Sequence, residues 1–365
     1  MNLDGSGLTN LTRHPAKDWE HQWSPSGDKI SFLSDRDGDP HLFIMNRDGS
    51  NPTRITNIPT ENGYKWSPTG WKIAFTHGRD NQRDIYVVNA DGSGLLNLTQ
   101  NPTNSRDFTW SHDGRRIAFV SYRDGDSEIY VLNTDGSGLH QLTNNNGGDE
   151  KPVWSPVSDL IVYTSNVGLD QVDPSTAIPK DQYLYAVSSD GTKSTFLSSD
   201  PGLNFSYNPK WSPDGKKVIF ADIENGPGFP SHPFMINVDG TGLVRIPEVS
   251  TGGRMYFWWS PDMHRIVVWY DNSGSASFSG STIMVFNADG TNPIKLESNS
   301  IFVGWPKWTR DSRFIVYESG SDEMDHDMGQ YPLGYGINII RADGTCFTRL
   351  TVTTSNDNDP LLSPP

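Results

Sequence analysis

Apolar positions in this chain fall in short runs fenced by turn residues, and the runs do not follow helical spacing. Residues 115–121 read RRIAFVS and residues 127–133 read SEIYVLN. Blocks of β-branched and aromatic residues of this length, bounded by Gly, Asp and Asn, predict strands that pack between sheets. The joints carry their own chemistry. Ser-His-Asp-Gly at 111–114 and Asn-Thr-Asp-Gly at 133–136 place glycine where a tight reversal needs a positive backbone dihedral. For residues 107–143 the pattern predicts four strands: one ending at Trp110, one from Ile117 to Ser121, one from Ile129 to Leu132, and one ending at Leu142.

The same unit recurs. Trp-Ser-Pro or a close relative stands at Trp23, Trp66, Trp110, Trp154, Trp211, Trp259 and Trp308, at intervals of 43, 44, 44, 57, 48 and 49 residues. Periods of this size with four short strands per period mark the blades of a propeller. The expectation is an all-β, seven-bladed β-propeller of four-stranded antiparallel blades, a single domain over 1–365, with blades near 18–56, 62–99, 106–143, 150–197, 206–246, 255–296 and 304–350. Asp-Gly hairpins number eight, however: Asp4, Asp48, Asp91, Asp135, Asp190, Asp239, Asp289 and Asp343. Residues 3–12, LDGSGLTNLT, read as the end of a repeat, and 352–365 as a partial repeat or tail. Propellers close by borrowing a strand from the opposite terminus, so residues 3–12 are expected to close the ring as an outer strand of the last blade.

Composition narrows the partners. The 35 glycines and 25 prolines suit a turn-rich fold. A formal charge of −15 repels polyanions and gives no basic stripe, which argues against nucleic acid. A single cysteine, Cys346, excludes an intrachain disulfide. The start, MNLDGSGLTNLT, has neither the charged nor the apolar region of a signal peptide, and no apolar run is long enough for a membrane-spanning helix. A monomer is expected, periplasmic or extracellular in its parent protein.

The motifs PVWSP, WSPDGKKVIF, IYVVNADGSGLLNLT and FLSDRDGDPHLFIMNRDGS resemble the TolB-type propeller repeat, in which a Trp-Ser-Pro-Asp-Gly strand is joined to an Asn-x-Asp-Gly hairpin. The resemblance covers nearly the whole chain. Propellers of this type serve as partner-binding scaffolds, as lids on peptidases and as lyase frameworks, and with no catalytic motif in the chain the expectation is a non-catalytic scaffold that binds a protein or peptide partner, with no cofactor. Oligogalacturonate lyases are similar in their propeller repeats and set channel histidines around a divalent metal. That resemblance opens a carbohydrate-active alternative, either a metal-dependent lyase or a glycan-binding module. A structural subunit of a surface assembly is a third reading.

Candidate sites follow from where the repeat varies. Links between the second and third strands, and between blades, lengthen from the fourth copy onward, and long loops on one rim are where scaffolds bind. Phe205, Tyr207, Tyr256, Trp258, Trp305, Tyr331 and Tyr335 lie in or beside these connections and could stack on a sugar or anchor a partner. Asp18, Glu20, Asp107, Asp149 and Glu150 head the innermost strands, and are expected to make the mouth of the central channel negative. Asp322, Glu323, Asp325, His326 and Asp327 offer hard ligands for a divalent cation, calcium or manganese. The nine histidines are scattered through the repeats, and no Gly-x-Ser-x-Gly, His-Glu-x-x-His, P-loop or Cys-x-x-Cys motif is present.

Overall fold

The structure, a computed structural model, describes residues 2–60, 63–79, 82–166, 182–197, 206–223, 231–247, 249, 254–271, 281–296, 303–320 and 335–351. These residues form seven four-stranded antiparallel sheets, each a meander in which sequential strands are neighbours. The architecture is that of a seven-bladed β-propeller. Blade three shows the pattern: Ser105–Trp110, Arg116–Ser121, Glu128–Asn133 and His140–Gln141. Among the described residues there is no helix, and none therefore long and apolar enough to cross a membrane. Contacts divide the chain into two compact units, residues 10–196 with 363–365 and residues 1–9 with 197–362.

Within each unit, successive blades bury sheet faces against one another. Ala74, Ile85, Val87 and Leu98 of blade two interleave with Phe108, Trp110, Ile117, Phe119, Tyr130 and Leu132 of blade three, all nearly excluded from solvent. The repeated tryptophan serves this seam twice. Its ring fills the apolar layer, and in several copies its indole N–H finds an acceptor on the preceding blade: Trp66 donates to Ser31 Oγ at 2.8 Å, Trp110 to the Lys65 carbonyl at 3.1 Å, and Trp308 to the Trp258 carbonyl at 3.0 Å.

The turns are equally regular. Ser111 Oγ donates to Asp113 Oδ1 at 2.6 Å and accepts from the Arg116 N–H at 2.9 Å, so the two side chains close the first hairpin of the blade. In the outer hairpin Asn133 Nδ2 reaches Ser137 Oγ at 3.0 Å, and the Ser137 N–H donates to Asp135 Oδ1 at 2.9 Å, with Gly136 supplying φ 85°. Local side-chain bonds of this kind set a turn before any tertiary contact exists.

Residues 3–12 do not form the expected closing strand. The fourth strand of the last blade is Thr348–Arg349, paired with Asn338 and Ile339 of the strand that precedes it. A partner a few residues away along the chain closes a far smaller loop than one from the other terminus. The N-terminal segment instead repeats the outer hairpin of blade two. Asn2 Nδ2 bonds Ser6 Oγ at 2.9 Å as Asn89 bonds Ser93 at 3.0 Å, and Asn10 Oδ1 accepts from the Thr12 and Arg13 amides as Asn97 does from Thr99 and Gln100, all at 3.1 Å. In one unit, Gly5 lies so close to the Leu350 carbonyl that a Cβ would stand 2.9 Å from it. In the other, Leu11 packs on Ile30, Phe32, Phe43 and Met45.

Candidate functional site

The first strands of the blades share a defect that the repeat pattern does not advertise. In five of the seven, the pairing with the second strand slips by one residue, and a non-glycine residue there takes a left-handed conformation: Glu20 (φ 48°), Asp107 (51°), Lys151 (53°), Asn208 (52°) and Trp305 (47°). A bulge re-aims the side chain it carries, and a left-handed non-glycine residue costs about 1–3 kcal/mol. Each stands three residues before its repeat tryptophan.

Blades two and six do not share the slip, and blade six uses the difference. Met255–Trp259 pairs without a slip, so Tyr256 and Trp258 project from one face of the strand and Tyr256 sits directly across from Trp269. Trp305, on the bulge of blade seven, joins them. Tyr256 lies 6.3 Å from Trp258, 5.6 Å from Trp269 and 5.7 Å from Trp305, ring centre to ring centre, and the Trp269 and Trp305 planes are within 6° of parallel at 6.4 Å. Trp258 and Trp269 rest on the buried seam between blades six and seven, which fixes them, while Trp305 is 46% exposed. The result is a rigid aromatic platform with one open face. Tyr256, Trp258 and Trp305 were expected from the sequence. Trp269 was not, because it sits inside a second strand and reads as core.

Lysines flank the platform. The residue just before the repeat tryptophan is Lys210 in blade five, Trp258 in blade six and Lys307 in blade seven. The first strands of these blades are neighbours: Asn208 Nδ2 donates to the Met255 carbonyl at 2.9 Å and the Trp308 indole to the Trp258 carbonyl. Lys210 is exposed, yet desolvation first and the Lys307 ammonium second pull it below the usual lysine range.

In the other unit the first strands carry charge. Arg106 Nη2 bonds Glu150 Oε1 at 2.7 Å and the Tyr122 hydroxyl at 2.6 Å, with Asp107 at 3.5 Å. Burial opposes that guanidinium's charge, but Glu150 and Tyr122 outweigh it and hold Arg106 above its ordinary range. Glu20 accepts from the Gly63 N–H at 3.2 Å, and Asp18 is paired with Arg36 at 2.9 Å. Glu20, Asp107 and Glu150 lie on first strands, each partly or fully open to solvent.

Asp149 is placed differently. It is fully buried, its Oδ2 accepting from Asn145 Nδ2 at 2.8 Å, close to the equally buried Glu128. Glu128 takes the Thr143 hydroxyl at 2.5 Å and the Asn145 amide at 2.9 Å, contacts that Asp84 makes with Thr99 and Asn101 one blade earlier. Burial first, and the second carboxylate after it, push Glu128 up to about 7, and burial raises Asp149 as well. Two carboxyl groups in one dry seam hold a proton that either would lose in water.

Tyr207 is packed into the seam between blades five and six with its hydroxyl 3.0 Å from Ser231 Oγ. Tyr335 begins the third strand of blade seven. Phe205, Tyr331 and the acidic group Asp322, Glu323, Asp325, His326 and Asp327 lie outside the described residues, as do most of the long links. Elsewhere the imidazoles do not converge. His41, His77 and His232 each bond a main-chain carbonyl, of Ile58, Pro59 and Val249, and among the described residues no group of three His, Cys, Asp or Glu side chains could hold a metal. A histidine-ligated divalent ion does not fit these residues.

Residues 60–182 match the family model of the TolB β-propeller domain. Among solved structures the chain is similar to an oligogalacturonate lyase from Vibrio parahaemolyticus (TM-score 0.62, 12% identity, covering 85% of this chain and 89% of that one). It is similar also to an oligogalacturonate lyase in complex with manganese (0.59, 14%, 81% and 84%). The β-propeller domain of the Trilobed protease from Pyrococcus furiosus, described as an open velcro topology, gives 0.56 at 15% identity over 94% and 99%. Identities this low show a shared fold alone. The match to the TolB β-propeller domain thus covers residues 60–182, and the same four-stranded blade is repeated along the rest of the chain.

Proposed function

We propose that this protein is a TolB-like propeller scaffold, without a catalytic role of its own, that binds a protein or peptide partner through the platform of Tyr256, Trp258, Trp269 and Trp305. The observation that carries this reading is Trp305. It is a large aromatic side chain, 46% exposed, held in a left-handed bulge at φ 47°. The bulge is shared with four other blades, but here it presents a large aromatic ring whose exposure forgoes burial, and exposed aromatic side chains of this kind collect at binding positions. Rings already stacked in place lose little freedom when a partner docks, which favours affinity.

The test is a selection of displayed random peptides on the immobilised chain. The selected peptides are then titrated by fluorescence anisotropy against Trp305→Ala and Tyr256→Ala. An affinity loss of about tenfold or more in Trp305→Ala, with the fold intact, is expected. Wild-type affinity in both variants removes the reading.

A glycan-binding module is the second reading. The near-parallel Trp269 and Trp305 planes favour it, because a flat aromatic face also takes the apolar side of a sugar ring. Retardation in gels containing neutral or uronate polysaccharide, lost in Trp305→Ala, would select it over the peptide.

A further inference from the structure

We infer that the platform recognises an acidic partner segment: Lys210 and Lys307 hold a carboxylate side chain while Trp258 and Trp305 take the apolar or aromatic residue beside it. The inference rests on the proposed binding reading and adds to it the chemistry of the ligand.

Three observations carry it. First, Lys210, Trp258 and Lys307 occupy one register position on the neighbouring first strands of blades five, six and seven, so a lysine stands on the strand to either side of the one that carries Trp258. Second, these lysines lack what lysines in folded proteins usually find. Blade two has Lys65 at the same position, with its ammonium 2.7 Å from the Phe108 carbonyl and 5.1 Å from the Phe108 ring centre. Among the described residues no carboxylate, carbonyl or ring holds Lys210 or Lys307 in this way. Two like charges drawn together without a counter-ion repel, and a ligand anion between them relieves the repulsion. Third, the whole chain carries −15, so a positive spot beside the exposed aromatic face is a local reversal of sign. Local fields of this kind set which partner docks and in what register. A carboxylate accepts from both ammonium groups at once, and a neighbouring apolar side chain then meets the platform.

Two measurements test the inference. The first needs no partner. Tryptophan fluorescence is quenched with iodide and with caesium, and the contribution of Trp305 is taken as the difference between wild type and Trp305→Phe. With each ion's efficiency taken relative to its quenching of free N-acetyltryptophanamide, iodide is expected to quench this contribution about twofold more efficiently than caesium, the order reversing in the Lys210→Met/Lys307→Met double variant. Caesium quenching Trp305 better than iodide in the wild type overturns the inference. Lys210→Gln and Lys307→Gln singly serve as the comparison if the double variant melts early.

The second uses the selected peptides. They are expected to carry Asp or Glu beside an apolar residue, to lose affinity about tenfold in the double variant, and to lose it likewise when the acid is replaced by its amide. Peptides that depend on Trp305 but not on the lysines sink this inference and leave the binding reading standing. Peptides indifferent to Trp305 sink both.

Discussion

Trp154 and Trp305 stand at the two ends of what one residue type does in this repeat. Trp154 is 4% exposed and packs with Ala118, Ile129, Val131 and Tyr163, its indole N–H donating to the Ser158 carbonyl at 3.1 Å. Trp154→Ala is expected to destabilise by about 3 to 5 kcal/mol, read from chemical denaturation. An unchanged melting curve would contradict the assignment. Trp305→Gly should cost far less, staying within about 1 kcal/mol of wild type, because the left-handed strain that glycine relieves offsets the lost contacts with Tyr256 and Trp269. The Glu128–Asp149 pair gives the protein a pH response. Glu128 keeps its proton in the fold up to about 7, against 4.5 in an ordinary setting, so between these values the folded state binds more protons than the unfolded one. Stability therefore falls as pH rises from about 4.5 toward about 7 and levels beyond. Glu128→Gln should flatten that slope and leave the protein more stable than wild type at pH near 8, as seen in melting temperatures across a pH series. A slope that survives the substitution would place the response elsewhere.

Within single elements, hairpins are where sequence and structure agree most closely, because the turn-closing bonds are made by residues two to five apart. Ser111 and Asp113 recur as Ser212 and Asp214, Ser260 and Asp262, and Thr309 and Asp311, each Ser or Thr donating to its Asp at 2.6 Å. The first strands are where agreement is weakest. Their slipped register, and with it the re-aiming of Glu20, Asp107, Lys151, Asn208 and Trp305, has no turn residue to announce it. A bulge in an inner strand reflects the fit between the strand and its neighbours, which local propensity does not encode. Lys210 and Lys307 belong to no motif that the sequence marks, and their missing partners are a fact of space. At this scale also belongs the N-terminal segment. Deleting residues 1–12 should lower the melting temperature by several degrees, since it uncovers Leu350 in one unit and Ile30, Phe43 and Met45 in the other. An unchanged melt would mean that the segment only decorates the surface.

Over the whole molecule, stability comes from seams between successive blades, so damage should stay local. Hydrogen exchange of Trp154→Ala is expected to show lost protection first within residues 10–196, where its contacts lie, with residues 206–351 protected nearly as in wild type. Simultaneous loss throughout would show the chain to open as one cooperative body. The charge of −15 acts at the same scale. It disfavours polyanionic partners at long range, while the lysine-bracketed platform acts only at contact, so binding through the lysines should weaken with added salt even though the protein as a whole is acidic.

The order of strands, the number of blades, the Asp-Gly hairpins and the packing role of most repeat tryptophans were determined by the sequence alone. Each depends on residues a few positions apart or on one pattern repeated at a fixed interval, and such signals survive in a linear string. Tertiary structure decided the rest. It gave the fourth strand of the last blade to Thr348–Arg349, because the nearer segment closes the smaller loop. It moved Asp149 from the expected channel mouth into a dry seam beside Glu128, where burial and like charge set the protonation of both. It also gathered Tyr256, Trp258, Trp269 and Trp305 from three strands into one platform. Those outcomes turn on distances between residues far apart in the chain, and on how solvent is excluded around them, which no local pattern specifies.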